Sequence, residues 1–201
     1  MSTMPMRFLA VALPIVLLSA GCGGNAPAED PPLAGAAIGG PFELVDKTGK
    51  TVRWSDFDGK YRIVYFGYTY CPDACPFDVQ RMMQGYHEFK SAEPELAAQV
   101  QPIFISVDPD RDTPEVVGEF ASAFSDDLLG LTGTPAQVDK AAKAFVAPYG
   151  KLPPGAGGGY LMNHTRIAYL MGREGEPIAL LPVESEGGEK KVAAELERWV
   201  S

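Results

Sequence analysis

The chain has 201 residues, enough for one buried domain with an N-terminal appendage. Its 17 basic residues against 26 acidic ones leave a net charge of −9, and no segment carries a basic stripe. That argues against nucleic acid as a partner, because nothing is placed to neutralise phosphates; an acidic surface of this kind serves solubility or a cationic partner.

In chain order, residues 1–21 read as an export signal. Arg7 gives the positive start, and Phe8–Leu18 is an apolar run too short for a bilayer, which needs ~20 apolar residues. The run ends in Leu18-Ser19-Ala20-Gly21-Cys22. Small residues before a cysteine are similar to a bacterial lipoprotein box, here with the leucine one place further back than usual. Cleavage before Cys22 would leave a lipidated cysteine, holding the protein to a membrane of the bacterial cell envelope, facing the periplasm. An ordinary signal peptide or an uncut anchor would export the chain equally well. Residues 22–40 are rich in Gly, Ala and Pro and read as a flexible tether, so a domain of residues 41–201 is expected to start near Pro41.

Phe42–Val45 and Thr51–Trp54 flank a Gly-containing loop and read as a β-hairpin. Tyr61–Phe66 is nearly all apolar, as a strand covered on both faces should be. A helix follows to about Lys90, with Cys75 at its N-cap and Pro76 as its first residue, where a missing N–H costs nothing. Gln101–Val107 is a second buried strand. Thr113-Pro114 and Thr134-Pro135 each pair an N-cap with a helix-starting proline, opening helices to about Phe124 and Ala147. Leu128–Leu131 reads as a short strand, Pro148–Gly159 as a loop, His164–Met171 and Ile178–Leu181 as a hairpin, and Glu186–Val200 as a final helix. Strands alternating with helices imply an α/β domain: a mixed central sheet with helices on both faces and an N-terminal β-hairpin. With a cysteine pair at the first β-to-α turn, this is the arrangement of a thioredoxin-like fold.

That pair, Cys71 and Cys75 in Gly67-Tyr68-Thr69-Tyr70-Cys71-Pro72-Asp73-Ala74-Cys75-Pro76, carries the chemistry. The head of a helix favours thiolate. A disulfide here would close a tiny loop and contribute little stability, which disfavours a merely structural role. Redox exchange in thioredoxin-like proteins uses two intervening residues, and here there are three. Two thiolates also form two-thirds of a site for a soft ion such as Cu(I) or Zn. The chain has only two histidines. His87 lies within the helix and reads as solvated. His164 enters a late strand whose preceding loop should face the cysteine turn, so it can reach the sulfurs; satisfaction by a backbone carbonyl is the competing account. Met82, Met83 and Met162 offer thioethers, but methionine on a helix usually fills core, which leaves Met162 as the one to test. Asp73 reads as a turn former or a charge beside the thiols. Asp108, Asp110, Arg111 and Asp112 form a charged loop, best explained by local hydrogen bonds and ion pairs and without the order of a Ca²⁺ loop.

The cysteine stretch resembles the signature of the Sco/SenC family of copper-binding assembly proteins. Ile105-Ser106-Val107-Asp108-Pro109-Asp110-Arg111-Asp112-Thr113-Pro114, Leu131-Thr132-Gly133 and Tyr160-Leu161-Met162-Asn163-His164-Thr165 resemble its later blocks, in the same order. The resemblance implies one copper ion, as Cu(I) or Cu(II), on Cys71, Cys75 and His164. It further implies delivery to the binuclear copper site of cytochrome c oxidase subunit II or another envelope acceptor, with a copper donor protein and a thiol–disulfide reductant as further partners. One departure stands out: the family often has Asp before the histidine, and this chain has Asn163. Two other functions remain open, a thiol–disulfide oxidoreductase using Cys71 and Cys75 as a redox pair on the acceptor's cysteines, and a copper or redox sensor.

Overall fold

The computed structural model describes Met1, residues 29–154 and residues 159–201. Cys22 lies outside the described residues, so its lipidation stays an expectation. The elements are β1 (Glu43–Val45), β2 (Thr51–Arg53), β3 (Tyr61–Gly67), α1 (Ala74–Ala92), α2 (Pro94–Ala97), β4 (Val100–Ser106), α3 (Pro114–Ser122), β5 (Leu129–Leu131), α4 (Pro135–Ala144), β6 (Tyr149–Lys151), β7 (Met162–His164), β8 (Ala168–Met171), β9 (Pro177–Leu181) and α5 (Gly188–Trp199).

Five strands form the central sheet in the order β5-β4-β3-β8-β9. β3 runs parallel to β4 and antiparallel to β8, while β4 and β5 are parallel and β8 and β9 antiparallel. Every residue of β3 is buried, as a strand covered on both faces must be. Its alternate side chains show what covers it. Tyr65 meets α1 through Asp78 and stacks beside Phe104, which in turn packs on Phe120 of α3. Phe66 packs on Phe145 at the end of α4, and the Arg62 guanidinium lies 4.6 Å from the Trp54 ring centroid. Helices therefore flank both faces of a mixed sheet, and the fold is thioredoxin-like. The hairpin β1–β2 forms a separate ladder, tied to the sheet edge by a bridge between Val45 and Thr132.

Some local expectations are corrected. α1 starts at Ala74 with Asp73 as N-cap, so Cys75 lies inside the first turn and Pro76 is its third residue. The proline still fits, because the first four N–H groups of a helix have no partner within it. The stretch before His164 is not all loop: β6 and β7 pair as a small antiparallel ladder, Tyr149 opposite His164. β7 ends at His164, and a new strand begins only at Ala168. Residues 31–40, expected to be tether, lie against the domain. The Leu33 N–H donates to the Ile178 carbonyl, the Gly39 N–H donates to the Ala144 carbonyl, and Ile38 packs on the core.

Candidate metal centre

The site forms where β3 ends. Gly67, its last residue, has to be small: a Cβ there would meet Phe104 at 2.9 Å, Tyr65 at 3.0 Å and the Cys75 sulfur at 3.1 Å. The chain then loops through Cys71, partly exposed, into α1, whose first turn carries the fully buried Cys75. Asp73 offers no side-chain cap to the helix. The Cys75 N–H instead donates to the Cys71 sulfur at 3.4 Å. One thiol thus serves as the helix cap of the segment that holds the other. His164 arrives from the far end of the sequence on β7, its Nε2 3.1 Å from the Cys75 Sγ. One ligand atom from each of Cys71, Cys75 and His164 lies within 4.8 Å of the others.

The imidazole is oriented by its other nitrogen. His164 Nδ1 lies 2.7 Å from the Thr165 carbonyl oxygen, which can only accept, so Nδ1 carries the proton. Nε2 then presents its lone pair toward the sulfurs. The backbone carbonyl posed as an alternative to a ligand role is thus the contact that fixes a ligand-ready tautomer. Burial holds the imidazole below its ordinary value, against the carbonyl bonds that favour its protonated form. Burial also pushes the Cys75 thiol well up, with the charge on Cys71 adding to it. For Cys71, burial pushes up too, but N–H groups of Cys75 and Asp73 outweigh it and hold the thiol below its usual range. Tyr68 is buried against both; loss of solvent is the main cause that pushes its phenol up to about 12, so at neutral pH it stays a hydrogen-bond donor. Its ring meets His164 edge-on at 5.6 Å.

Two polar groups brace the loop from behind. Asp78, one turn beyond Cys75 and fully buried, takes a forked pair from Arg166: Nη2 to Oδ1 at 2.6 Å and Nε to Oδ2 at 2.8 Å. The Tyr65 hydroxyl donates to the same carboxylate at 3.0 Å. On the other side, buried Asp112 accepts the Thr69 N–H at 3.0 Å, the Thr69 hydroxyl at 2.6 Å and the Ser106 hydroxyl at 2.5 Å. Arg111 pairs with Asp108, donates to the Tyr160 carbonyl, and lies 4.8 Å from the Tyr70 ring and 3.8 Å from the Tyr160 ring. The 108–112 loop therefore spends its charge on local bonds, and among its residues Asp110 is exposed and paired with Lys151.

Of the other sequence candidates, Met162 lies on the same face of β7 as His164. His87 sits beside Ser125 Oγ at 3.0 Å and near Asp127, half-exposed on α1. Met82 and Met83 are core, and Met162 is buried on β7. Asp73 is exposed. Asn163 is exposed between buried Met162 and half-buried His164, so strand alternation turns it away from the ligand face. Sequence reasoning missed Asp78, Arg166 and Tyr68. Asp78 did leave a signal: it is a charge on the apolar stripe of α1, between Cys75 and Met82.

Residues 30–201 match the family model described as SCO1/SenC. SenC of Rhodobacter capsulatus is 46% identical over 142 residues, covering 69% of this chain and 60% of that protein. The human mitochondrial SCO1 homolog is 40% identical over 141 residues, covering 69% of this chain and 46% of its own length. The chain thus spans about half the length of the curated relatives it matches. The structure of Bradyrhizobium japonicum ScoI with copper bound superposes with a TM-score of 0.67 at 37% identity, covering 81% of this chain and 99% of that one. With its fold and the match over nearly the whole domain, the chain belongs to the SCO1/SenC family.

Proposed function

We propose that this protein is a copper metallochaperone of the bacterial cell envelope. The thiolates of Cys71 and Cys75 and the Nε2 of His164 take up one copper ion, which is the protein's cargo, and pass it by ligand exchange to the binuclear copper site of cytochrome c oxidase subunit II. The observation that carries this reading is the convergence of the three ligand atoms within 4.8 Å, with the imidazole lone pair turned inward. Two soft sulfurs with one imidazole suit copper. ScoI, with copper bound, has the same fold at 37% identity, which supports copper as the ion. A donor protein supplies the copper, and a thiol–disulfide reductant keeps the cysteines reduced. A lipid on Cys22 holds the domain near its membrane acceptor.

The test is metal loading of the reduced protein. Wild type is expected to bind one copper per chain. Removing a ligand in His164→Ala should weaken binding by more than the ~10–100-fold that loss of an outer partner costs. Copper affinity equal to wild type in that variant would rule out the three-ligand site.

A second reading is favoured by the contrast between the two thiols. A half-exposed Cys71 held below its usual range beside a buried Cys75 pushed up is the asymmetry of an attacking and a resolving thiol. Thiolate attack by Cys71 on an acceptor disulfide would give a mixed disulfide and release one acceptor thiolate. Cys75, losing its proton to the medium, would displace the second, leaving Cys71–Cys75 oxidised. This chemistry needs no His164, so His164→Ala separates it from copper binding.

A further inference from the structure

Two segments far apart in sequence meet twice. α1 brings Cys75 and, one turn on, Asp78; the end of β7 brings His164, and the connection that follows brings Arg166 two residues on. Cys75 meets His164 at 3.1 Å, 89 residues away, and Asp78 meets Arg166 through two bonds, 88 residues away. The contacts run side by side, so the forked pair fixes the spacing that the ligand contact needs. Asp78 reaches the imidazole by a second route. It holds the Tyr65 hydroxyl, and the Tyr65 ring meets His164 edge-on at 6.3 Å. Thr165, whose carbonyl fixes the His164 tautomer, lies between His164 and Arg166, so the fork also restrains the residue that orients the ring.

The geometry points to Arg166 and Asp78 as positioning residues: their fork, with Tyr65, clamps the connection that follows His164 onto α1 and holds the His164 ring against the Cys75 sulfur. Neither residue ligates the ion. The fork is made of protein atoms alone and needs no ion for its own bonds, so it pre-sets the third ligand. A guanidinium is required, because a lysine supplies a charge but not two parallel N–H groups.

The consequence for copper rests on the metallochaperone reading; the clamp itself does not, and the experiment reads each separately. Three variants are compared with wild type and with His164→Ala. Arg166→Met removes the fork, and Arg166→Lys keeps the charge alone. Asp78→Asn combined with Arg166→Gln removes both charges, in case a stranded Asp78 prevents folding. In the metal-free protein, proton NMR should show His164 ring protons shifted by the Tyr65 and Tyr68 rings, with nuclear Overhauser contacts to the Cys75 β-protons. In folded Arg166→Met or the double variant those contacts should be lost and the shifts should relax. Copper affinity should fall by ~10–100-fold, as for loss of an outer partner, and Arg166→Lys should recover only part. A folded variant that keeps the His164–Cys75 contacts overturns the clamp. So does wild-type copper affinity in the clamp variants when His164→Ala is impaired. If His164→Ala binds copper normally, the three-ligand reading fails, and the metal-free NMR alone decides the clamp.

Discussion

Cys71 and Cys75 carry the same thiol, and the loop gives them opposite proton affinities. Donated N–H groups hold Cys71 below the ordinary thiol value of 9.0, while burial holds Cys75 above it. Below its midpoint Cys71 is a thiol and slow to react; above it, a thiolate and fast. Alkylation of the reduced, metal-free protein with iodoacetamide should therefore label Cys71 first. Its rate should rise through a midpoint under 9.0, and Cys75 should lag across the whole range. Mass spectrometry of peptides taken during the reaction checks this, and earlier labelling of Cys75 would refute the assigned asymmetry. The cysteine pair and His164 were legible as residues because few others of their kind exist in the chain. The residues around them were not. Tyr68 looks like any aromatic after a strand, and Arg166 like a surface cation. Their roles follow from the contacts of Arg166 with Asp78 and of Tyr68 with His164, each between residues far apart in sequence, which no local pattern records.

Among the elements, those with a local punctuation mark were the ones that could be read. Thr113 and Thr134 do cap α3 and α4, each with proline next, and Thr134 with Gln137 completes a capping box. β6 and β7 carry no such mark. Their pairing is decided across the Pro/Gly stretch by tertiary contact, and glycine and proline nearby masked it. The start of α1 was misplaced because its cap is a sulfur, not one of the usual capping oxygens. Another non-local constraint sits at the α1–α5 crossing. A Cβ on Gly85 would lie 2.5 Å from the Glu189 carbonyl oxygen and 2.7 Å from Val192. Alanine is the better helix former by about 1 kcal/mol. Overpacking costs about 1–3 kcal/mol, and here the obstacle includes a backbone oxygen that cannot rotate aside. Gly85→Ala should therefore lower stability by about 1–2 kcal/mol, seen as a lower urea midpoint at unchanged slope. A midpoint at or above wild type would show that the two helices are not in the close contact described.

At the scale of the molecule, the N-terminal segment and the metal centre lie at opposite ends of the sheet. The centre sits beyond Gly67, where β3 ends. Leu33 bonds to Ile178 at the start of β9, a strand parallel to β3 through their shared neighbour β8. The register puts Ile178 level with the beginning of β3, where Arg62 faces Met171. β3 is seven residues long, or about 23 Å at ~3.3 Å per residue. If Cys22 bears the lipid, six residues, 23–28, separate it from Glu29, which pairs with Arg198 of α5. Six residues reach at most about 22 Å at ~3.6 Å per residue. A span of that reach, attached at the far end, is about as long as β3, so shortening it should hinder the copper site from tipping back toward the membrane. A leash also sets the local concentration of site around an acceptor, and that concentration vanishes when the span cannot be bridged. Deleting residues 24–28 should leave copper stoichiometry of the purified protein unchanged and lower cytochrome c oxidase activity in membranes. Cys22→Ala should move the protein out of the membrane fraction and lower the same activity. Full oxidase activity with the shortened leash would mean that transfer does not require the domain to turn on its anchor.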